Sequence, residues 1–509
     1  MPDQGDGTYR NPVLFADYSD PDVVRVGDDY YLVASSFHEA PGLPVLHSRD
    51  LVSWTIVGHA AARLPSPAFG APQHGKGVWA PAIRYHDGHF WVFFGDPDLG
   101  LFMTRARDPR GPWAPLHLVL AARGLIDPCP LWDDDGRLHL VHAWAKSRAG
   151  FNGVLTLRRL SPDGRKGLDE GVTVFAGGER HPTIEGPKLY RRNGWTYIFA
   201  PAGGVRTGWQ TVLRSRSILG PYEDRIVLAQ GTTAVNGPHQ GALVDTAGGE
   251  SWFVHFQDRG PYGRVTHLQP VAWADGWPVI GEDPDGDGTG QPVPAFRKPQ
   301  VRGAVVPAAP QTSDEFDGPE LGLQWQWNAN PSPHWYSLTA RRGALRLLPQ
   351  PLGTSVPASL WHQPNVLVTR FPAERFTVTA LLEVGGTAAG AASGLVVLGR
   401  DTASLAVTRS PSGWEVVQSV GRGVDEGGRD EIVARRATPS ARLYLRVVVA
   451  PGARLRFSTS VDGAAFVPIG EEIAAREGMW VGARIGLFTA PVERPRRSDF
   501  TDVEWVRIE

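Results

Sequence analysis

The chain has 509 residues, more than one hydrophobic core usually supports, so two domains are expected. Hydrophobic residues at 42% and charged residues at 20% are ordinary for a globular protein, and a formal net charge of −2 gives no reason to expect nucleic acid or an anionic membrane as a partner. The 60 glycines and 44 prolines are scattered between short apolar runs, which favours a loop-rich all-β protein over a disordered one.

Targeting and cysteine signals are weak. No apolar run approaches the ~18 residues of a membrane span, so no membrane partner is expected. The polar stretch from Met1 to Arg10 lacks the apolar core of a signal peptide. We therefore expect a cytoplasmic protein, with a secreted form whose signal has been removed as the alternative. The single cysteine, Cys129, excludes an intramolecular disulfide and is predicted to be a small buried side chain.

Five segments in the first half of the chain resemble one another. Each contains a strand, a tight turn rich in Asp, Asn and Gly, and a second strand, and they begin at Asp20, Ala80, Asp127, Gly186 and Gly241. They start roughly 47 to 60 residues apart, near the length of a four-stranded propeller blade. We therefore predict a five-bladed β-propeller over residues 1–300, in which the strand nearest the axis of each blade lines a shared pocket.

A second region follows a short connection. The stretch from Gly281 to Thr312 is rich in Gly, Pro and Asp, and residues 301–312 are predicted to be a linker. Within the stretch, Asp283, Asp285 and Asp287 mimic the start of an EF-hand loop, but Pro294 stands where the closing acid is required, so a solvated acidic turn is favoured.

Residues 313–509 alternate apolar and polar side chains over several strands, which predicts a two-sheet β-sandwich. An aromatic cluster near its start is interpreted either as packing against the first domain, which we favour, or as a carbohydrate-binding surface. The cluster comprises Trp325, Trp327, Trp335 and Tyr336.

Three acids precede the repeated strands, and we expect them at equivalent places in the repeat. Asp20 and Asp127 each stand before a proline, and Glu185 stands before Gly-Pro. Three carboxylates around one pocket suit hydrolysis of a glycosidic bond, in which one acid gives a proton to the leaving oxygen and another takes a proton from water. A third acid can raise the pKa of the proton donor. The alternative is that Asp-Pro merely starts turns.

Aromatic side chains near these acids are candidates for sugar stacking. Phe37, Trp79 and Trp144 are predicted to wall the pocket, and ordinary packing within the blades is the alternative for each.

The order of motifs resembles glycoside hydrolase family 43, in particular its β-xylosidase and α-L-arabinofuranosidase members that carry a C-terminal β-sandwich. The first domain carries this resemblance in Asn11-Pro-Val, Ser19-Asp-Pro-Asp-Val, Val78-Trp-Ala-Pro-Ala-Ile83, Ile126-Asp-Pro, Ile184-Glu-Gly-Pro-Lys-Leu-Tyr190, Gly237-Pro-His-Gln-Gly241 and Tyr262-Gly-Arg. In the second domain the matching motifs are Ser313-Asp-Glu-Phe and Leu323-Gln-Trp-Gln-Trp-Asn328. The resemblance implies a five-bladed β-propeller followed by a concanavalin-like β-sandwich.

The resemblance also implies roles for single residues in an inverting mechanism. Asp20 would be the general base, with Asp22 as its rival, and Glu185 would be the general acid. Asp127 would tune the pKa of the acid and orient it. Arg264 and His239 match the family's central arginine and histidine, which contact the sugar or a central ion.

The expected function is exo-hydrolysis of a terminal pentose from an oligosaccharide, most simply β-1,4-linked D-xylose. An α-L-arabinofuranosidase, or an enzyme with both activities, is the alternative, and a non-catalytic carbohydrate-binding protein is the alternative of another class. The chain departs from many xylosidases between Phe37 and Gly42, where polar and small residues replace an aromatic pair. No cofactor is required, although Ca²⁺ near His239 is considered. The oligomeric state is not predicted.

Overall fold

Five four-stranded antiparallel sheets follow one another along the first part of the chain and form a five-bladed propeller. The computed structural model describes residues 1–351, 359–386, 392–492, 495–496 and 498–509. In chain order, with blades separated by semicolons, the propeller strands are Asp22–Val26, Asp29–Val33, Gly42–Ser48 and Thr55–Ala61; Trp79–His86, His89–Asp96, Gly100–Ala106 and His117–Ala121; Leu125–Trp132, Leu138–Trp144, Val154–Leu160 and Val172–Ala176; Lys188–Arg192, Trp195–Ala202, Trp209–Ser215 and Glu223–Leu228; His239–Asp245, Ser251–Asp258, Arg264–Ala274 and Trp277–Ile280.

The first strand of each blade lies nearest the propeller axis, where it contacts strands of the neighbouring blades. Buried apolar side chains fill the spaces between adjacent blades, so the blades are held together by side-chain packing. The predicted burial of Cys129 is confirmed, because its side chain lies in one of these clusters.

The N-terminal segment joins the first blade to the fifth. Leu14 exchanges backbone hydrogen bonds with Thr266 of the fifth blade, at 3.2 and 3.0 Å. The strand Thr8–Arg10 pairs with Ala295–Arg297, which follows the last blade. Both ends of the propeller chain are thereby fastened to the same side of the ring.

The C-terminal domain is a sandwich of two antiparallel sheets. In spatial order, one sheet contains Gln326–Trp327, Leu367–Arg370, Arg484–Thr489, Ala392–Leu398, Thr402–Ser410, Gly413–Gly421 and Asp430–Thr438. The other contains Tyr336–Ser337, Leu345–Leu347, Phe500–Ile508, Phe376–Gly385, Arg442–Ala450, Arg454–Ser460 and Val467–Pro468, and Ile473–Ala474 also pairs with Arg454–Ser460. Apolar side chains of both sheets meet in one core.

Helical structure in the described residues is confined to short turns. They are the α-helical turn Lys146–Ala149 and the 3₁₀ turns Pro67–Gly70, Gly260–Tyr262, Leu360–His362 and Val424–Glu426. Among the residues that the structure describes, no helix has the length and apolar character that crossing a bilayer requires.

The aromatic cluster at the start of the sandwich packs in the protein interior. Trp325, Trp327 and Trp335 are buried in the sandwich core, and Tyr336 packs against it. The backbone of Trp327 also exchanges hydrogen bonds with Ala40 of the propeller, at 3.0 and 2.6 Å. The cluster therefore packs, as favoured over a carbohydrate surface, but it packs mainly inside the sandwich and not against the first domain as expected.

The acidic stretch after the fifth blade forms a turn. The backbone N–H groups of Gly286 and Gly288 donate to the Asp283 carboxylate, at 2.9 Å each, and Thr289 donates to Asp287 at 2.7 Å. The carboxylates therefore hold the turn through backbone bonds, as aspartates commonly do.

Candidate active site

A pocket with a volume of about 100 Å³ opens at one end of the propeller axis. The structure brings together six of the residues that the sequence nominated: Asp20, Phe37, Trp79, Asp127, Glu185 and Arg264. Five further lining residues were not predicted: Ala80, Ile126, Val205, Gln240 and Trp480. Trp480 belongs to the sandwich, so both domains build the pocket.

A larger cavity, of about 440 Å³, lies between the N-terminal segment and the sandwich strand that ends at Arg370. The only carboxylate among its lining residues is that of Glu374. Acid–base hydrolysis needs at least two carboxyl groups, so the smaller axial pocket is the candidate active site.

The blades deliver side chains to the pocket through a repeated backbone conformation. At the entrance to each innermost strand one residue has a positive φ: 54° at Asp20, 32° at Ala80, 57° at Asp127, 55° at Gly186 and 34° at Gln240. Such angles are uncommon for residues with a side chain, and their recurrence at a functional pocket marks a conformation that the fold imposes. In each blade this residue, the one before it, or both line the axial pocket.

This register corrects one expectation. The three acids were expected at equivalent places, but Gly186 is the residue of the fourth blade that matches Asp20 and Asp127. Glu185 lies one position earlier, where the other blades have Trp79 and His239. A side chain at 186 has no room, because a Cβ there would lie 2.6 Å from the Gln240 amide carbon. The acid on this blade is therefore carried by the neighbouring position.

Asp20 is held as an acceptor of several hydrogen bonds. The hydroxyls of Ser19 and Ser35 donate to its Oδ2, at 2.7 and 2.6 Å. The Arg264 guanidinium donates to its Oδ1 at 3.1 Å. These three hydrogen bonds hold the Asp20 carboxylate in one orientation in the pocket, as a base that takes a proton from water requires.

Asp22, the rival of Asp20, lies outside the pocket lining. Its buried carboxylate accepts from the Ile83 N–H and from Arg84, both at 2.8 Å, and lies 3.9 Å from the ammonium of Lys188. These partners tie the first blade to the second and fourth, so Asp22 has a structural position and Asp20 remains the candidate base.

Asp127 is buried and receives one hydrogen bond from the backbone. The Gly186 N–H donates to its Oδ2 at 2.8 Å. Burial, together with the smaller effect of the negative charge of Asp20, raises the pKa of Asp127 to about 7 against the opposing effect of the Gly186 hydrogen bond. Its bond to Gly186 places it directly beside Glu185.

Glu185 is the acid with the fewest partners in the pocket. Its side chain is 29% exposed, and its Oε1 lies 3.6 Å from Nε2 of His239. Burial first, and then the negative charges of Asp127 and Asp20, together raise the pKa of Glu185 to about 8 against the opposing effect of Arg264. Glu185 is therefore protonated near neutral pH, as a proton donor must be.

His239 is fully buried behind Glu185, although the pocket lining does not include it. Burial lowers the pKa of His239 to about 3, with a smaller contribution from Arg264, so the ring is neutral. Neither ring nitrogen makes a hydrogen bond within the protein. A neutral imidazole beside Glu185 leaves the carboxyl protonated, whereas an imidazolium would favour its ionised form.

Three aromatic side chains wall the pocket. Phe37 contacts Trp79 edge to face, with ring centroids 6.1 Å apart, and Trp79 contacts Trp480 in the same way at 6.0 Å. The Trp480 side chain is 47% exposed. Aromatic faces around carboxylates provide the stacking surfaces on which sugar rings bind.

Trp144 was also predicted to wall the pocket, but the structure does not place it there. Its indole N–H donates to Thr156 at 2.9 Å, and its ring packs against Phe151 with centroids 5.0 Å apart. Both partners lie in the third blade or its loops, so Trp144 follows the packing alternative.

Profiles of two families match the chain on either side of the linker. Glycosyl hydrolases family 43 matches residues 9–278, and the β-xylosidase C-terminal concanavalin A-like domain matches residues 313–509. The chain belongs to glycoside hydrolase family 43.

Relatives and solved structures of this family resemble the whole chain. A protein of Xylanibacter ruminicola, provisionally named β-xylosidase, is 42% identical over 97% of this chain and 88% of its own length. A non-reducing-end α-L-arabinofuranosidase of Bacteroides ovatus is 33% identical over 77% of this chain and 74% of its own. The crystal structure of a xylan β-1,4-xylosidase from Bacillus halodurans has a TM-score of 0.85 at 26% identity, covering 98% of this chain and 99% of that one.

As a family 43 hydrolase, the protein acts on glycosidic substrates with chemistry that two carboxyl groups and a water molecule can supply. The pocket offers these groups in different surroundings. Asp20 accepts hydrogen bonds from Ser19, Ser35 and Arg264, whereas burial and the neighbouring negative charges raise the pKa of Glu185. A carboxyl group of raised pKa beside a second carboxyl group held by donors is the arrangement that acid–base cleavage of a glycosidic bond uses.

The segment Phe37–Gly42, where the chain departs from many xylosidases, contacts the sandwich as well as the pocket. Phe37 lines the pocket, but Nε2 of His38 donates a hydrogen bond to Oδ1 of Asn328 of the sandwich at 3.0 Å. Glu39 accepts from Arg484 of the sandwich at 2.6 Å. The polar residues of this segment therefore bind the second domain, and the aromatic wall is completed by Trp480.

Proposed function

We propose that the protein is an exo-acting, inverting β-xylosidase that releases terminal D-xylose from β-1,4-linked xylo-oligosaccharides. The observation that carries the proposal is the convergence of two different carboxyl groups on one small pocket: Glu185, whose pKa is raised to about 8, and Asp20, which accepts hydrogen bonds from Ser19, Ser35 and Arg264. A pocket of about 100 Å³ suits one terminal sugar ring rather than the interior of a long chain.

In the proposed mechanism Asp20 takes a proton from a water molecule as that water attacks the anomeric carbon. Glu185 gives its proton to the glycosidic oxygen as the bond to the leaving sugar breaks. Asp127 keeps the pKa of Glu185 high and orients it through the shared contact with Gly186. Direct attack by water inverts the anomeric configuration.

Hydrolysis of α-L-arabinofuranosides is the second candidate activity. It is favoured by the named arabinofuranosidase that is 33% identical to this chain and by the departure from many xylosidases after Phe37. Both sugars present similar arrangements of hydroxyl groups, so one pocket can accept either.

The proposed steps use no cofactor. Ca²⁺ prefers oxygen ligands, so the lone ring of His239 does not by itself indicate a calcium site. Within the described ranges, the one group of three side chains able to hold a metal is Asp283, Asp285 and Asp287, in the turn after the propeller. We therefore assign no step of the reaction to a metal at His239.

The test compares hydrolysis of xylobiose, 4-nitrophenyl β-D-xyloside and 4-nitrophenyl α-L-arabinofuranoside by the wild type and Glu185→Gln. Loss of a general acid is expected to lower kcat for xylobiose by roughly 10²–10⁴. Glu179→Gln is the matched control, because Glu179 is an exposed glutamate a few residues away, and it should be as active as the wild type.

Proton NMR of the first product identifies the stereochemistry. Inversion of a β-xyloside releases α-xylose first, so early appearance of the β-anomer would overturn the inverting mechanism. Retention of full activity on xylobiose by Glu185→Gln would overturn the assignment of the acid. A ratio of kcat/KM values that favours the arabinofuranoside would replace the first activity by the second.

A further inference from the structure

A buried arginine of the sandwich joins two carboxylates of the propeller. The Arg484 side chain is 4% exposed, and it donates to Asp17 at 2.9 Å and to Glu39 at 2.6 Å. Both carboxylates are 2% exposed. Asp17 and Glu39 lie on separate segments of the propeller, so a single side chain of the second domain fixes both.

Asp17 connects this arginine to the active site. Its Oδ1 accepts the backbone N–H of Arg264 at 2.9 Å, and its Oδ2 accepts the backbone N–H of Gly482 at 2.9 Å. Burial alone would raise the pKa of Asp17, but Arg484 and these two N–H groups hold it below the ordinary value. The ionised Asp17 carboxylate therefore contacts both domains. One of these contacts is with Arg264, the residue that donates to Asp20.

The backbones of the two domains approach each other closely at this point. A Cβ at Gly482 would lie 2.5 Å from the Gly263 nitrogen, and a Cβ at Gly263 would lie 2.4 Å from the Asp17 carboxyl carbon. Any larger residue would push the sandwich segment away from Arg264. The contact therefore depends on glycine in both domains.

The same sandwich segment carries Trp480 to the pocket. Trp480 has a positive φ of 67°, and its ring lies 5.8 Å from the Arg264 guanidinium carbon. On the other branch, Glu39 lies two residues from Phe37, which lines the pocket. Arg484 is thus linked to two walls of the site, through Asp17 to Arg264 and through Glu39 to Phe37.

We propose that Arg484 and Asp17 are positioning residues for hydrolysis, through which the sandwich sets the place of Arg264 and hence of the base Asp20. The inference rests on the proposed function and adds a reason for the second domain. Arg264 donates to both Ser19 and Asp20, at 2.8 and 3.1 Å, so a shift of its backbone moves the whole donor set. A displacement of about 1 Å in such a set can cost roughly 10²-fold in rate.

The test measures kcat and KM of the full-length Arg484→Met and Gly482→Ala variants with 4-nitrophenyl β-D-xyloside. The rates are normalised to the folded fraction, which calorimetry and circular dichroism give at the assay temperature. We expect kcat to fall at least about tenfold in both variants while KM changes less than about threefold, because the sugar-binding walls are displaced less than the base. Arg484→Lys, which keeps the charge, should recover part of kcat.

Two control variants separate positioning from stability. Arg346→Met removes an arginine that pairs with buried Asp502 inside the sandwich, at 2.7 Å, and Gly318→Ala adds a methyl group 3.5 Å from its nearest neighbour. Both should keep the kcat of the wild type per folded molecule, even where their melting temperature falls.

The outcomes distinguish this inference from the proposed function. If the wild type hydrolyses the xyloside and Arg484→Met keeps its kcat within twofold per folded molecule, the positioning role is overturned and the proposed function stands. If Arg484→Met loses kcat no more than Arg346→Met does, the arginine is merely structural and the inference again fails. A wild type that hydrolyses no pentoside overturns the proposed function and this inference with it.

Discussion

Two groups of buried carboxylates lie on either side of Arg264. In the pocket, Asp127 accepts a single hydrogen bond from Gly186, and Glu185 has only His239 nearby, at 3.6 Å. At the domain junction, Asp17 accepts from Arg264, Gly482 and Arg484, each at 2.9 Å. Asp127 and Glu185 therefore have few hydrogen-bond donors around them, whereas Asp17 has three.

The hydrogen-bond donors around each buried carboxyl group decide whether that group is protonated. The pKa of Glu185 is raised to about 8 and that of Asp127 to about 7, mainly by burial, whereas the pKa of Asp17 is held below its ordinary value by its partners. The pocket therefore keeps a removable proton at a cost in stability, and the junction uses ionised carboxylates to hold two domains together. Burial alone does not separate a catalytic acid from a structural one.

The largest effect on this comparison should come from breaking the junction. Asp17→Ala leaves Arg484 and two backbone N–H groups without their shared acceptor, and removing one partner of a buried ion pair typically costs ~3–5 kcal/mol. We expect a free energy of unfolding lower by about that amount, measured by urea denaturation at pH 7. Asp135→Ala, at a largely exposed site, should change it by less than about 0.5 kcal/mol. A loss below about 1 kcal/mol for Asp17→Ala would mean that the junction is held elsewhere.

The repeat pattern made the propeller predictable. Strand–turn–strand units recur along the first part of the chain, and each became the inner hairpin of one blade. The acids Asp20 and Asp127 could be placed at the axis because residues at the entrance of each inner strand face a common channel. The exact position of Glu185 could not be predicted, because it depends on which residue takes the positive φ. In the fourth blade that residue is Gly186.

The contribution of the sandwich could not be read from the sequence. Trp480 lies more than two hundred residues after Arg264, in a stretch without a repeat or a local motif. It reaches the pocket because Asp17 and Glu39 meet Arg484 across the junction, and such long-range pairing has no sequence signature. Trp144 is the opposite case. It lies near Asp127 in sequence, but its side chain packs within its own blade and does not line the pocket.

The raised pKa of Glu185 should make the free energy of unfolding depend on pH. The folded protein keeps the proton of Glu185 up to a pKa of about 8, whereas the unfolded chain releases it near the ordinary value of 4.5. Between these values the unfolded state binds fewer protons, so this carboxyl lowers the stability progressively as the pH rises. Glu185→Gln removes the effect and should be more stable than the wild type by roughly 0.5–2 kcal/mol at pH 8.5.

At pH 4 both states are protonated at this position, and the two proteins should unfold at nearly the same temperature. Calorimetry from pH 4 to pH 9 measures the difference. Glu179→Gln, which changes an exposed carboxyl, should show no such trend. A stability difference between Glu185→Gln and the wild type that stays constant with pH would contradict the raised pKa.

The smallest expected effect concerns the coupling inside the pocket. Near pH 8 Asp127, with a pKa of about 7, is ionised, and its charge is the first of the neighbouring charges that raise the pKa of Glu185. Asp127→Asn removes the charge, so Glu185 should lose its proton at a lower pH. The alkaline limb of the kcat/KM profile should then move down by roughly one unit, in addition to any fall in the maximum. Asp134→Asn, on the exposed turn of the same blade, should leave the limb in place.

This shift of the alkaline limb distinguishes the pocket from the junction most clearly. A carboxylate with only a structural role, such as Asp17, has no neighbouring proton donor whose pKa it could raise. Burial remains the larger cause of the raised pKa, so the limb should stay well above the ordinary value for a glutamate even without Asp127. An alkaline limb that does not move in Asp127→Asn would show that burial alone sets the proton affinity of Glu185. Asp127 would then act only by orienting the acid through Gly186.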